Sequence, residues 1–179
     1  PSARVVDMEK DGVDFELLYP SPRLSNSIFW HTTDKEFHLA GVRAYNDWLS
    51  EFCSHDPSRL GGVAMMPNVG AELAAKELER AMSLPGMRTA MLGQWPHGGE
   101  VLTAEDDLFF AAAQELDVPI SIHVGFVTEA QGHAGRGKFT GSLRLFDAPV
   151  RATQLINGGV FDRFPQLRMA FVEVDCGWV

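Results

Sequence analysis

The sequence has 179 residues, 45% of them apolar and 22% charged, with a formal net charge of −9. That length suffices for one ordinary domain with a real core, and the absence of any basic cluster argues against a nucleic-acid or anionic-membrane surface. No apolar run approaches the roughly 20 residues that span a bilayer and no signal-peptide pattern opens the sequence; two cysteines without a C-x-x-C pattern give the expectation of a cytoplasmic protein.

Residues 11–20, DGVDFELLYP, carry apolar Val13, Phe15, Leu17, Leu18 and Tyr19 ahead of Pro20, which predicts a strand and then a loop. A capping box from Thr33 to Glu36 opens the next segment, each side chain able to satisfy an orphan N–H. Apolar residues then recur at Phe37, Ala40, Ala44, Tyr45, Trp48, Leu49, Phe52 and Cys53, a helical stripe that ends by Pro57. Residues 59–67 read as a short strand. The helix over 70–82 has Leu73, Ala74, Leu78, Ala81 and Met82 on one face, with Glu72 four residues before Lys76. A third strand follows at 86–96.

A second capping box, Thr103 to Asp106, starts a helix over 103–117 with Leu108, Phe109, Ala112, Ala113 and Leu116 on its apolar face. Residues 118–126, VPISIHVGF, form the fourth strand, and the Gly-rich stretch after it reads as a long loop. Residues 148–159 make a helix with Pro149 near its first turn, where the missing N–H costs nothing, and glycines behind it. Residues 168–178 give the fifth strand and its exit. The two cysteines, Cys53 and Cys176, form no C-x-x-C pattern and are expected to be reduced core thiols.

Strands alternating with helices imply an α/β fold with a parallel sheet and right-handed crossovers. Two architectures fit: a doubly wound open sheet, or an incomplete (β/α)8 TIM barrel. No strand is followed by G-x-G-x-x-G or G-x-x-x-x-G-K-[ST], which removes support for a nucleotide-binding open sheet.

Both architectures put chemistry at the C-terminal ends of strands. In the fourth strand Ile120, Ile122 and Val124 share one face, and Ser121 and His123 the other. A parallel strand covered on both faces reads as continuously apolar, so Ser121 and His123 face something polar, such as a barrel interior near its mouth. Glu173 ends the next strand at the equivalent place. An imidazole is a common ligand for Zn²⁺, and a carboxylate beside it serves as a ligand, a partner to the ligand or a proton shuttle. The competing reading is a core histidine paired with a neighbour. His31, His97 and His133 fall in loops on the functional side and are candidates to touch a substrate, as is Trp95. His38 falls off its helix stripe and is expected to be solvated, and His55 to be structural.

The segments LYPS, DPSRLGGVAMMP, GMRTAML, VPISIHVG and GGVFDRFPQLRMAFVEVDCGW, in this order and spacing, resemble the amidohydrolase-related family that includes aminocarboxymuconate-semialdehyde decarboxylase. The resemblance covers nearly the whole chain. It implies a distorted (β/α)8 barrel that binds a divalent metal, with zinc the expected ion, and that hydrolyses C–N or C–C bonds or decarboxylates. It further implies that His123 is a metal ligand, that Glu173 stands where the decarboxylases carry a catalytic histidine, and that Trp178 is the tryptophan of the strand exit. No H-x-H occurs here; the resemblance places the family's H-x-H or E-x-H metal motif before Pro1 and the last metal-binding aspartate after Val179.

On this reading residues 1–179 are part of a single metal-dependent hydrolase-like barrel domain, carrying barrel strands two to six. Its substrate is expected to be a small carboxylate, amide or lactone, with catalytic Glu173, metal ligand His123, and His97, Trp95 and Trp178 at the substrate. The alternative is a non-catalytic barrel fragment or binding module without a complete metal site. Two open sheet edges are an aggregation hazard, so further chain or a partner, a second copy included, is expected to cover them.

Overall fold

The computed structural model describes residues 1–20, 34–123, 147–174, 176 and 177. The chain opens with a helix, α1 (Ser2–Asp11), that the sequence pattern does not announce. It buries only Met8 and ends at Gly12, whose positive φ of 69° closes the cap. A paired guanidinium and carboxylate, Arg4 and Glu16, tie it to the first strand at 2.7 and 2.9 Å.

The remaining elements are β1 (Glu16–Leu18), α2 (Lys35–Cys53), β2 (Leu60–Met65), α3 (Ala71–Met82), β3 (Met87–Leu92), a 3-10 turn at Ala104–Asp106 running into α4 (Asp107–Glu115), β4 (Ile120–His123), α5 (Asp147–Asn157), the short α6 (Val160–Arg163) and β5 (Met169–Val172). The five strands form one sheet in the order β1-β2-β3-β4-β5, every neighbouring pair parallel. A doubly wound sheet reverses its order at a switch point. This one never does, so it is a half-barrel and not the open-sheet alternative.

Alternation along each strand separates two faces. Leu60, Ala64, Ala90, Leu92, Ile120 and Ile122 lie in the main core with Leu49, Leu78, Phe109, Phe110 and Leu155 from the helices. Val63, Met65 and Met91 form a second cluster with Val42, Tyr19 and Tyr45. Met91 is in register with Met65 on one side and Ser121 on the other, so Ser121 and His123 belong to this second face. Gly62 lets the helix layer come close: a Cβ there would lie 2.6 Å from the Met87 sulfur and 3.1 Å from Leu49. The register slips between Gly62 and Val63, where the partner changes from Met87 to Thr89. Such a bulge bends its strand.

The buried face of α2 differs from the apolar stripe. His38, Val42, Asn46, Leu49, Ser50 and Cys53 are buried, whereas Phe37 and Trp48 are more than half exposed. Asn46 explains the rotation. Its amide donates to the Met65 carbonyl at 3.0 Å and accepts from the Met65 N–H at 2.8 Å, completing the edge of β2 beyond the end of β1. Fully buried Glu77 of α3 accepts from Asn46 at 2.8 Å, from Arg80 at 2.8 and 2.9 Å and from Arg43 at 3.3 Å. Its hydrogen bonds hold the Arg80 guanidinium above its ordinary range. Satisfied polar groups are therefore buried where apolar periodicity places solvent.

The N-cap of α2 is Asp34, which accepts from the Phe37 N–H at 3.0 Å; Thr33 lies outside the described residues. The Thr103–Asp106 capping box is present, and Glu72 meets Lys76 at 2.6 Å, as the spacing predicts. In α4 the buried residues are Phe109, Phe110 and Ala113, with Leu108 and Leu116 exposed. Cys53 is a buried free thiol whose pKa burial pushes up, but Cys176 is exposed, which corrects its reading as a core thiol. No helix among the described residues is long and apolar enough to cross a membrane.

Candidate active site at the strand exits

Of the residues expected to carry chemistry, Trp95, His97, His123 and Glu173 lie where β3, β4 and β5 end. His123 is the last residue of β4, paired in register with Val172 of β5. It is 6% exposed, and its Nε2 lies 3.5 Å from the Glu173 carboxylate. Glu173 follows β5 directly and is 68% exposed in its side chain. Its φ is +57°, in the left-handed region that costs an ordinary residue about 1–2 kcal/mol. The strand thus ends in a strained turn at the residue that carries the carboxylate. The His123 ring meets the Tyr19 ring at 5.4 Å between centroids, tilted by 40°. Ser121, two residues earlier on the same face, donates to the Ala90 carbonyl at 3.0 Å.

The loop after β3 holds a second histidine–carboxylate pair. His97 places Nδ1 at 2.7 and 2.9 Å from the two oxygens of Asp106, and its own backbone N–H donates to that carboxylate at 3.0 Å. Asp106 has no exposure and also accepts from the Thr103 N–H at 3.0 Å. Gly99 makes room for the ring, since a Cβ there would fall 2.1 Å from Nε2.

Trp95 is fully buried, its Nε1 donating to Gln154 of α5 at 2.7 Å, with Phe110 edge-on at 6.4 Å. Trp178, His31, His133, Asp175 and the Gly-rich stretch lie outside the described residues. His38 is not solvated, which corrects the expectation: it is 1% exposed and accepts the Asn68 N–H at 3.2 Å, so it anchors the turn after β2. His55 is exposed behind α2. Asn68 in turn donates to Gln94 after β3, joining two strand exits. The sequence marks Asp106 as a helix cap and Tyr19 as a residue at a strand exit, but not their contacts with His97 and His123, nor this His38–Asn68–Gln94 chain. A signal for His38 was present: with Val42 and Asn46 it forms an i, i+4, i+8 row, visible once buried polar residues are allowed.

Imidazole nitrogen and carboxylate oxygen are ordinary donors to zinc and manganese, so His123 and Glu173 fit a divalent ion in kind. They are two donors, and among the described residues no group of three or more His, Cys, Asp or Glu converges on one point.

The amidohydrolase family model matches residues 1–178. The chain belongs to that family. Among relatives, gamma-resorcylate decarboxylase of Polaromonas sp. JS666 is 29% identical over 176 residues, which are 93% of this chain and 53% of that protein. The 2-keto-4-carboxy-3-hexenedioate hydratase of a Sphingobium species is 29% identical over 169 residues, 90% of this chain and 47% of the hydratase. A crystal structure of dihydroxybenzoic acid decarboxylase from Polaromonas sp. JS666, with bound manganese and the inhibitor 2-nitroresorcinol, matches with a TM-score of 0.72 at 26% identity. The match covers 94% of this chain and 53% of that one. The chain therefore spans about half the length of the amidohydrolase relatives it matches.

Proposed function

We propose that the chain forms one half of the active site of a metal-dependent decarboxylase or hydrolase acting on a small carboxylate. Decarboxylation of an aromatic acid is the favoured reaction. The observation that carries this reading is a buried histidine meeting an exposed carboxylate at adjacent strand exits of a half-barrel. The decarboxylase relatives support the choice of reaction, and the hydratase keeps the substrate a carboxylate while varying the chemistry.

His123 would hold the ion through Nε2, with further ligands supplied by residues beyond those described. The ion, zinc or manganese, polarises a substrate carboxylate or carbonyl or acidifies a water when bound. Burial fixes the His123 ring for that task. Loss of CO₂ leaves a carbon that must gain a proton, and Glu173, exposed at the exit, is placed to carry it. His97 contacts the substrate from the β3 loop. Trp95 acts behind that loop, its N–H fixing Gln154, which itself accepts from the Leu102 N–H at 3.2 Å. Trp178 is assigned a substrate contact on the family resemblance. The buried free thiol of Cys53 supports a reducing, cytoplasmic setting.

The test combines elemental analysis of the intact protein with CO₂ release from 2,6-dihydroxybenzoate. About one divalent ion per chain, lost in His123→Ala together with turnover, is expected. An intact protein that stays metal-free after dialysis against zinc or manganese would instead establish the non-catalytic binding module.

A further inference from the structure

Strands β1 and β4 are separated by β2 and β3. In a flat sheet three strand spacings would put them about 14 Å apart. Yet the Tyr19 hydroxyl donates to Ser121 Oγ at 3.3 Å, and its ring packs on His123. The contact therefore crosses the concave face of the half-barrel, and it needs both the curvature and a side chain as long as tyrosine.

We propose that Tyr19 is a positioning residue that sets the orientation of the His123 ring from the opposite side of the concave face. Three features hold Tyr19 in place. Pro20, which is buried, follows it and restricts Tyr19 to extended backbone. Its ring packs against the cluster of Val42, Val63, Met65 and Met91. Its hydroxyl proton has a fixed acceptor, because the Ser121 hydroxyl gives its own proton to the Ala90 carbonyl at 3.0 Å and meets Tyr19 with a lone pair. A ring fixed in this way removes one side of the space into which His123 could rotate. The same tyrosine lines a groove of about 310 Å³ with Tyr45 and Trp48.

The consequence for metal binding rests on His123 being a ligand. Residues that orient a ligating histidine typically change metal affinity by about 10–100-fold when replaced. The experiment measures Mn²⁺ affinity by calorimetry on the intact protein, together with the ring-proton NMR signals of His123 in the metal-free protein, identified by their loss in His123→Ala. Tyr19→Leu should weaken Mn²⁺ binding about tenfold and move the His123 signals as the ring current disappears. Tyr19→Phe, which keeps the ring, should restore most of the affinity. Trp48→Leu, in the same groove with Tyr45 and Phe52 as its ring partners, should change neither readout. If Tyr19→Leu fails to fold, Tyr19→Phe and Ser121→Ala carry the test: each removes the hydroxyl contact and should shift the His123 signals. Unmoved signals with wild-type affinity in these variants would overturn the role of Tyr19. Unchanged Mn²⁺ affinity in His123→Ala would instead overturn the metal reading itself.

Discussion

The two histidine–carboxylate pairs at the strand exits are built in opposite ways. In His97–Asp106 the carboxylate is fully buried, the imidazole side chain is 16% exposed, and the contact is 2.7 Å. In His123–Glu173 the imidazole is buried, the carboxylate is 68% exposed, and the contact is 3.5 Å. Asp106 spends its lone pairs on four donors: the His97 ring, the His97 amide, the Thr103 amide and the Thr103 hydroxyl. Glu173 keeps its oxygens in solvent on a strained backbone. A carboxylate saturated with protein donors fixes a loop, whereas one held loosely beside a buried imidazole retains capacity for a proton or an ion. The same two residue types therefore give a clamp after β3 and, after β4 and β5, the open pair to which the proposed function assigns the chemistry.

Substitutions at the two carboxylates should separate these roles. Asp106→Ala should destabilise the fold by about 3 kcal/mol, because it removes a helix cap and leaves buried amide donors unpaired. Urea denaturation reads that loss, and a cost below the level of an ordinary surface substitution would end the distinction. Gly99→Ala attacks the same clamp from the other side of the ring. Its Cβ must displace His97 from Asp106, at a cost of about 1–2 kcal/mol, and the variant should respond little to a further His97→Ala. Glu173→Gly should act in the opposite direction. Relief of the positive φ should stabilise the protein by up to about 1 kcal/mol, while the proposed role of Glu173 as proton carrier predicts that turnover of the intact protein falls by about 10²-fold or more. A Glu173→Gly variant less stable than wild type would show that this carboxylate is structural as well.

The asymmetry between the pairs was only half legible in the sequence. Thr103–Asp106 stood out as a capping box, and the structure contains that box. Nothing in the spacing showed that the same carboxylate also grips His97, because His97 and Asp106 meet through a loop and not through a helical period. His123 drew notice as a polar residue ending an apolar strand, and Glu173 as its counterpart one strand later; both were fixed by strand periodicity, which is local.

Local pattern likewise determined the alternation of strands and helices, the positions of β2 to β5, and the Glu72–Lys76 pair. It missed α1, whose few apolar residues bury little. It also set the buried face of α2 only in part: Leu49 and Cys53 are buried as the stripe predicts, but Asn46 and His38 are buried by hydrogen bonds that hydrophobicity does not record. The tertiary structure alone decided between half-barrel and doubly wound sheet, because both are written with the same alternating elements and differ only in which strands lie side by side. It also brought Tyr19 to His123 across two intervening strands. Curvature of the sheet arises from the summed bend and twist of every strand pair, and no stretch of sequence encodes that sum.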